Sequence, residues 1–567
     1  MTPTPSIRRI AAGATVLALA VAGLVSVPVS AQAATPIDFT GNSAMRDCII
    51  QQMNYGPNVT IFPNDVASMT DFTCRGRNIT NLMPLQYMIN LAELDLTDNL
   101  VADLAPLSTM SKLARVHLGD NSLVNVTPLH FLAKLEMVDL STNALTSIQP
   151  FVGLPVLSVL DVHENPLVSI APAVNISSLI GLGVGSAGTF APVDLAPLAS
   201  MPQLQILQIE GIRQQDMAAI ANHPKLSLLS IANGSLTSIA ALASMSKLET
   251  LVVNDNQIAD ISPLAALTSL KYLNLSANLI TDAAVVAGLS KLEQLAINDN
   301  QLAALPSFAQ MKNLQYLWFD NNSVVDLSPV ASVASLESFS ANNNRIKSVA
   351  PLSGLSELMW IKLRGNAITD VSPLAALENV NTFDVLDQHI ALADAAVNTP
   401  VAIPTVTGSA AQVPVLTITQ GTGHLIPGQV TWTGTGAGVI SWGLKVQSPA
   451  GSGQFSGTIT QASVLPPLPA VAAPAVLPLV FGKKLTVKIT GTAKVGKKLK
   501  LKVTKPPAGV ALTYQWLRNG HAIKKATKST YTLTKASKRA KITVRVTASK
   551  VGYVTVAAKS KATRRVR

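Results

Sequence analysis

Carboxylate and imidazole side chains recur at one position of a repeated segment in the N-terminal half of the chain. Asp95, His117, Asp139 and Asp161 are spaced 22 residues apart, and His163 lies two residues after the last of them. Such oxygen and nitrogen groups bind cations, and a row of carboxylates attracts a basic partner. The alternative is a solvated acidic face, which the sequence favours because neighbouring strands would hold the side chains parallel. We therefore predict no metal site and no cofactor.

Aromatic side chains recur in the same way in the C-terminal half of the repeats. Only 24 of the 567 residues are Phe, Trp or Tyr, and leucines already fill the core positions, so recurring rings at surface positions are unusual. Exposed Trp and Tyr are the residue types that anchor binding interfaces. The alternative is that the rings pack on each other as surface filler. The predicted ligand-binding residues are these rings and two flanking cations: Tyr272, Tyr316, Trp318, Trp360, Lys362 and Arg364.

Three further polar residues, Asn298, Asp320 and Asn342, complete the expected rim of this surface. Catalytic chemistry is not expected. None of the seven histidines accompanies an acid and a Ser or Cys in a pocket-like context, and no phosphate loop, zinc motif or nucleophile elbow occurs. Side chains on a strand surface are shallow and wet, which disfavours pKa tuning by burial. The sequence thus predicts a protein that is not an enzyme.

The elements that position these residues follow from a 22-residue period. Each copy reads Leu-x-x-Leu-x-Leu-x-x-Asn-x-Ile, a pattern typical of leucine-rich-repeat solenoids. It predicts parallel strands on a concave face and short 3₁₀ or turn segments on the convex face, where Ser-Pro-Leu recurs. A column of asparagines would satisfy the backbone polar groups that stacking buries. The predicted ladder is Asn99, Asn121, Asn143, Asn165, Asn256, Asn278, Asn300, Asn322, Asn344 and Asn366.

Three coils break this pattern. Ala187, Ile212 and Gly234 occupy the asparagine position, and the interval from Leu179 to Leu204 is 25 residues. Either these coils tolerate sequence drift, or they mark a bend or a place where a partner approaches the backbone.

The two cysteines lie at the N-terminal end of the repeats. Cys48 falls in an amphipathic segment from Asn42 to Met53 that predicts a helix, and Cys74 falls at a strand position of the first, incomplete repeat. A disulfide between them would hold an N-terminal cap over the exposed end of the solenoid. Two buried free thiols are the alternative.

The N-terminal 33 residues resemble an export signal. Arg8 and Arg9 precede an apolar run, and Ala31-Gln32-Ala33 fits a cleavage site, although an uncleaved membrane anchor is the alternative. No later segment is apolar and long enough to span a bilayer. We therefore expect a secreted or extracellular protein without a membrane span after cleavage.

Charge divides the chain into two parts. Residues 1–394 contain all 31 acidic residues and 18 Lys and Arg, whereas residues 395–567 contain 25 Lys and Arg and no acid. The segment 483–567 alternates apolar residues with Lys or Thr, which predicts a basic β module. The favoured partner for this segment is an anionic cell-wall polymer, which would retain the protein on the cell envelope. A merely soluble module is the alternative, and nucleic acid is not expected because few aromatics accompany the charges.

The repeat motif, its Ser-Pro-Leu turns and the final repeat, with Gln388 in the asparagine position, resemble the internalin family of bacterial surface proteins. The resemblance continues through Gln429–Trp432 and Phe455–Thr458, similar to the Ig-like domain behind internalin repeats, and covers roughly residues 37–462. The segment around 513–520 resembles an Ig-like repeat of secreted actinobacterial proteins. The resemblance implies a cell-surface protein that recognises a protein or glycan without catalysis. The degenerate coils and the missing sorting motif depart from the family pattern.

These observations predict an adhesin-like recognition protein, with a structural envelope spacer as the alternative. The predicted domains run in chain order: an export signal (1–33), an N-terminal cap (34–70), a leucine-rich-repeat solenoid (71–392), an Ig-like domain (393–462), a Pro/Ala-rich linker (463–482) and a basic Ig-like module (483–567).

Overall fold

The computed structural model describes residues 35–188, 190–221, 223–408, 412–447, 452–465, 477–478, 484–551 and 553–567. The predicted export signal and most of the predicted linker lie outside these ranges. The described residues fall into two compact units, which divide between Ser463 and Val464.

The first unit begins with two helices, α1 (Ser43–Gln52) and α2 (Pro63–Val66), followed by a long run of parallel strands. A further short helix, α3 (Met217–Ile220), interrupts the convex side. The strands are β1 (Asp71–Thr73), β2 (Glu93–Asp95), β3 (Arg115–His117), β4 (Met137–Asp139), β5 (Val159–Asp161), β6 (Gly181–Gly185), β7 (Ile206–Glu210), β8 (Leu228–Ser230), β9 (Thr250–Val252), β10 (Tyr272–Asn274), β11 (Gln294–Ala296), β12 (Tyr316–Trp318), β13 (Ser338–Ser340), β14 (Trp360–Lys362) and β15 (Thr382–Ala391).

Each of these strands pairs with the next one in parallel and in register. Residue i pairs with residue i+22, as Tyr272 does with Gln294, except that β6 and β7 pair with an offset of 25 (Gly181 with Ile206). In most strands the first and third residues face the concave surface. The apolar residue between them and the apolar residues that flank the strand point inward, are almost fully buried and form one continuous core. The predicted leucine-rich-repeat solenoid is confirmed.

The convex side is built from short 3₁₀ helices in most coils, which confirms the prediction from the Ser-Pro-Leu motif. Proline fits their first turn because it has no N–H to leave unpaired. These helices are Met83–Tyr87, Ala105–Leu107, Thr127–Phe131, Gln149–Phe151, Ala171–Asn175, Ala196–Ser200, Gln214–Asp216, Ala240–Leu242, Ser262–Ala266, Ala284–Gly288, Ser328–Ser332, Ala350–Leu352 and Ser372–Ala376.

The asparagine side chains bind the backbone of their own coil and of the preceding one. In Asn278, Nδ2 donates to the carbonyl oxygens of Val253 (2.9 Å), Leu275 (3.1 Å) and Ser276 (3.2 Å). Its Oδ1 accepts from the N–H of Ile258 at 2.9 Å. One buried amide thus satisfies four backbone groups that stacking removes from water.

The same contacts recur along the solenoid at equal spacing. The donor contact to the residue 25 positions earlier is present for Asn99, Asn121, Asn143, Asn165, Asn256, Asn300, Asn322, Asn344 and Asn366. Gln388 closes the series: its Nε2 donates to Leu363 O at 2.8 Å and its Oε1 accepts from Ile368 N at 3.0 Å. A register shift in β15 just before Gln388 accompanies its longer side chain.

Two glutamates make contacts between neighbouring coils in the region without the asparagine. Glu164 accepts from the N–H of Ala187 at 2.7 Å and from the Ser186 hydroxyl at 2.8 Å. Glu210 accepts from Asn233 Nδ2 at 2.8 Å. Gly211 has a φ of +67°, and a Cβ there would collide with the carbonyl of Ser186. Backbone therefore packs directly on backbone where the asparagine column is interrupted.

A disulfide joins Cys48 of α1 to Cys74, which follows β1, with the Cα atoms 5.7 Å apart. On the same helix, Met45 and Ile49 are fully buried against the first coils. The helix thus covers the apolar end that the first repeat would otherwise expose to water.

At its other end the repeat sheet continues into the following β segment. β15 pairs in parallel with β22 (Ser452–Val464), and β22 pairs in antiparallel with β21 (Gly436–Gln447). The sheet therefore passes from the last coil into an all-β region within one compact unit. The strands of this region are β16 (Ala395–Ala396), β17 (Pro400–Ala402), β18 (Thr417–Gln420), β19 (Gly423–Ile426), β20 (Gln429–Trp432), β21 (Gly436–Gln447) and β22 (Ser452–Val464).

The second unit is also all-β, with its own core around Trp516, whose side chain is fully buried. Its two main sheets are β24–β25–β28 and β27–β26–β29–β31. Its strands are β23 (Leu477–Pro478), β24 (Val487–Thr490), β25 (Lys498–Val503), β26 (Ala511–Arg518), β27 (His521–Ala522), β28 (Thr530–Thr532), β29 (Ile542–Ser549), β30 (Tyr553–Val554) and β31 (Val556–Lys559), with a 3₁₀ helix at Lys535–Ser537.

We predict that Asn278→Ala lowers the free energy of unfolding by about 2–4 kcal/mol, because it leaves buried carbonyls without a donor. Asn379→Ala is the matched control, since its exposed side chain makes a single contact with Ser356 O. We expect this control to cost less than about 1 kcal/mol. Denaturant unfolding followed by circular dichroism measures both. Equal losses in the two variants would contradict the role assigned to the ladder.

We also predict that reduction of the Cys48–Cys74 bond lowers stability by about 3 kcal/mol, because the bond closes a loop across 26 residues. The measurement is the unfolding midpoint with and without reductant. A Cys48→Ala/Cys74→Ala variant is the control and should not respond to reductant. An unchanged midpoint in the reduced wild-type chain would show that the cap is held by packing alone.

Candidate functional site

Five of the six predicted binding residues lie on two adjacent columns of the concave sheet, and Arg364 follows the end of its strand. Strand register places Tyr272, Gln294, Tyr316, Ser338 and Trp360 in one column. The second column contains, in the same strand order, Asn274, Ala296, Trp318, Ser340 and Lys362. Neighbouring strands lie about 4.8 Å apart, so residues from β12 to β14 form one contiguous patch.

Tyr316 and Trp318 form one wall of this patch. Their ring centroids are 5.8 Å apart with the planes tilted by 55°. Trp318 Nε1 donates to the hydroxyl of Ser338 at 3.2 Å, which fixes the orientation of the indole. Both rings are half-buried and held by neighbours before any ligand arrives.

Trp360 forms the opposite wall and is 41% exposed, a large fraction for a tryptophan on a rigid sheet. Between the walls lies β13, which presents only Ser338 and Ser340 to this face. The strands that bear the two walls are therefore two strand spacings apart, about 10 Å, with the small hydroxyl side chains of β13 between them. We call this feature, made of Tyr316, Trp318, Ser338, Ser340 and Trp360, the aromatic trough.

The two serines are the part of the site that sequence reasoning missed. Small residues attract no attention by themselves. The sequence does contain a signal for them. Their coil lies between one coil with Tyr316 and Trp318 at the equivalent positions and another with Trp360 at the first of these positions.

Tyr272 lies outside the trough. Its strand, β10, is separated from β12 by β11, whose Gln294 lies between Tyr272 and Tyr316 in the column. The ring is half-buried, and this burial raises the pKa of the Tyr272 hydroxyl above its ordinary value. Tyr272 therefore flanks the trough and is not one of its walls.

The residues expected to form a polar rim are occupied with each other. Asn298 Oδ1 accepts from Asp320 N (2.8 Å), Asp320 Oδ1 from Asn342 N (2.6 Å), and Asn342 Oδ1 from Arg364 N (2.8 Å). They form a second, shorter ladder along the edge of the concave face. The Arg364 guanidinium pairs with Asp384 and with Asp387, at 3.4 and 2.5 Å.

Lys362 is exposed beside the trough, directly across the strand pair from Ser340. Both cations predicted to flank the rings are exposed, and Arg364 is paired with the carboxylates of Asp384 and Asp387. Their roles in binding stay predictions.

The acidic column differs from the solvated face that the sequence favoured. Asp95, Asp139 and Asp161 are only 3%, 1% and 6% exposed. Each Oδ1 accepts from the N–H two residues later and from that residue's side chain, as in the 2.6 Å contact from Ser141 Oγ to Asp139. The expectation of a wet face was wrong because neighbouring side chains cover this part of the sheet.

Arg75 compensates part of this buried charge. Its Nε donates to Asp95 at 2.7 Å, and the imidazole Nδ1 of His117 lies 3.8 Å from Asp139. Burial favours the neutral form of Asp95, but hydrogen bonds from Arg75 and Thr97 outweigh it and lower the pKa of this carboxyl. The column is a structural network of paired charges.

His163 is the most strongly perturbed group of this network. Its Nδ1 lies 2.6 Å from Asp161 Oδ1. Burial by itself lowers the pKa of the imidazole, but the hydrogen bond and charge of Asp161, with the charges of Glu210 and Asp139, raise the pKa of His163 to about 9. Gly183 on the next strand makes room for this pair, since a Cβ there would collide with the Asp161 carboxylate.

The interrupted coils contain a cavity of about 250 Å³, lined in part by Ala187, Ile212 and Gly234. Glu210 and the Arg213–Asp216 ion pair also line it. The positions that lack the asparagine therefore surround open space on the solenoid surface.

The described residues contain no group of three or more His, Cys, Asp or Glu side chains arranged to hold a metal ion. Over the same ranges, no helix combines the length and the hydrophobicity that crossing a bilayer requires.

Comparison with known proteins agrees with the repeat architecture. Residues 246–288 match the family model described as leucine-rich repeats in two copies, and residues 111–167 match the leucine-rich-repeat model. None of the curated proteins matches the chain.

Among solved structures, the internalin inlF of Listeria monocytogenes is 24% identical, with 63% of this chain and 100% of that chain covered and a TM-score of 0.43. InlJ of the same organism is 17% identical, with coverages of 74% and 96% and a TM-score of 0.44. The HAESA receptor-kinase ectodomain of Arabidopsis, solved with a peptide hormone, is 17% identical, with coverages of 62% and 71% and a TM-score of 0.43. The two family matches identify the coils as leucine-rich repeats.

We predict that the stability of the solenoid falls between pH 6.5 and 9. In this window His163 is protonated when folded and neutral when unfolded, so its stabilisation is complete below pH 6.5 and lost as pH rises through the folded pKa. The expected loss is on the order of 2–3 kcal/mol. Denaturant unfolding at several pH values should show a flatter profile for His163→Gln than for the exposed-site control His424→Gln. Parallel profiles for the two variants would refute this assignment.

Proposed function

We propose that this chain is an exported, adhesin-like recognition protein of the internalin type that binds a protein or glycan ligand through the concave face of its repeats. The observation that carries the proposal is the aromatic trough: Trp360, 41% exposed, faces the Tyr316–Trp318 pair across a floor of serines. Buried leucines already form the core, so the exposed ring of Trp360 is not required to fill it.

The trough has the properties of a preorganised interface. A parallel sheet holds both walls, and the hydrogen bond from Trp318 to Ser338 restricts one ring. Little side-chain entropy is then lost on binding, which favours affinity. Flat aromatic faces pack on apolar side chains and on sugar rings alike. Lys362 beside the trough favours a ligand that carries an acidic or carbonyl group at one end.

The proposal also includes retention on an anionic cell envelope through residues 483–567. This segment contains 24 Lys and Arg and no acid, and its exposed strand positions are mostly Lys and Thr. In an extracellular setting, such a module would bind an anionic cell-wall polymer through many weak charge contacts. The proposal includes neither catalysis nor nucleic-acid binding.

A structural envelope spacer is the second candidate. It is favoured by the pairing of β15 with β22, which joins the last coil to the following β region through one sheet. A rigid body of this kind would hold other parts of the chain away from a surface without a ligand of its own. The two candidate functions differ in whether the chain binds a ligand through the aromatic trough.

The test uses the full chain against a panel of immobilised extracellular-matrix proteins and an oligosaccharide array. For each probe bound by the wild type, we expect Tyr316→Ser/Trp318→Ser/Trp360→Ser to weaken binding at least about 30-fold, the effect of losing two or more interface anchors. Phe131→Ser, at a 67% exposed ring on the convex side, is the matched control and should bind like the wild type. Unchanged binding of every probe by the folded triple variant would leave the spacer as the better account.

A further inference from the structure

One face of the second unit consists almost entirely of lysine and threonine side chains. In β25, Leu499 and Leu501 point into the core, while Lys498, Lys500 and Lys502 are exposed. Lys488 of β24 lies directly opposite Lys502. Same-face residues repeat about every 6.8 Å along a strand, and the two strands are about 4.8 Å apart. The ammonium groups therefore form a regular row, which we call the lysine row.

A shallow cavity of about 260 Å³ is lined by residues of β28 and of the loop that precedes it. Three lysines and three threonines contribute to its lining: Lys524, Lys525, Lys528, Thr527, Thr530 and Thr532. These side chains supply ammonium and hydroxyl donors around a single space. We call this the lysine pocket.

The loop that forms the pocket is held in place by the core. Trp516 Nε1 donates to Lys528 O at 2.8 Å, and Trp516 N donates to Ala526 O at 3.0 Å. Lys525 has a φ of +60°, a conformation maintained by the surrounding contacts. The pocket is therefore part of the folded module and does not need a ligand to form.

The pocket and the lysine row are continuous. Thr530 and Thr532 of β28 line the pocket, and strand pairing places them opposite Lys500 and Lys498 of the row. An extended chain of negative groups that enters the pocket thus meets the row on the adjacent strands.

The aromatic rings of the described part of this unit pack on one another, on the core or against a lysine. Trp516 is buried and stacks on Tyr531, which also lines the lysine pocket, with ring centroids 5.6 Å apart. Tyr553 lies under Lys550, and Tyr514 packs against the core. Single-stranded nucleic acids are bound largely through stacking of bases on exposed aromatics. The face thus fits a polymer with charged links and no bases.

We infer that the lysine pocket and the lysine row together bind a linear polyol-phosphate polymer, with one phosphodiester in the pocket and its neighbours along the row. A phosphodiester offers oxygen acceptors to both ammonium and hydroxyl donors, which this site combines, and lysine is a common phosphate ligand. The inference rests on the proposed retention of the module on an anionic envelope, and it names the chemistry and the face.

The test measures binding of the full-length mature chain to poly(glycerol phosphate) at several salt concentrations. The variant Lys524→Gln/Lys525→Asn/Lys528→Gln removes the pocket charges, with asparagine chosen because it tolerates a positive φ. The matched control, Lys535→Gln/Lys538→Gln/Lys541→Gln, removes the same charge elsewhere on the module. We expect at least a tenfold loss of affinity for the pocket variant and less than a threefold loss for the control.

Several outcomes would overturn the inference. Equal losses in both variants would mean that net charge alone binds the polymer. Tighter binding of polyglutamate or of single-stranded DNA, at matched charge, would assign the face to another polyanion. Salt washing of cells that display the chain tests retention separately. If the wild type washes off no more readily as salt rises, the proposed retention fails, whereas a pocket effect on the purified polymer would still stand.

Discussion

The hydrogen bonds between the buried asparagines and the backbone are the constraint on which the solenoid depends. Stacking flat coils removes carbonyl and N–H groups from water at every corner, and each must find a partner. A single amide such as that of Asn278 supplies donors and an acceptor to two coils at once. This fixes the spacing of the coils, so the strands pair in register and the exposed positions of each strand fall into columns.

The columns explain why chemistry of different kinds appears on one face. In the N-terminal coils the column contains aspartates and histidines, which pair with each other and become buried. In the C-terminal coils the two columns together contain aromatics separated by serines, and Trp360 is exposed. The same scaffold thus produces a closed charged network at one end and an open trough at the other, and only the composition of the columns differs.

The architecture could be predicted from the sequence because its signal repeats many times. The 22-residue period, the inward leucines and the Ser-Pro-Leu turns each predict local structure, and every further copy of the repeat supports the same prediction. The burial of Asp139 could not be predicted from the repeat pattern, because it depends on how adjacent side chains pack over the strand. The pairing of Arg364 with Asp384 and Asp387 and the serine floor of the trough also depend on contacts between coils. The sequence predicts the aromatic residues of the trough as binding residues, but their separation into two walls depends on the strand register.

The parallel pairing of β15 with β22 has a mechanical consequence. The chain enters this strand pair from the last coil at the start of β15 and leaves the unit at the end of β22. Tension between these two points pulls the parallel strands past each other along their length. The hydrogen bonds of the pair are then loaded together in shear instead of being peeled apart one by one, so this junction resists force better than a peeled pair of the same length would.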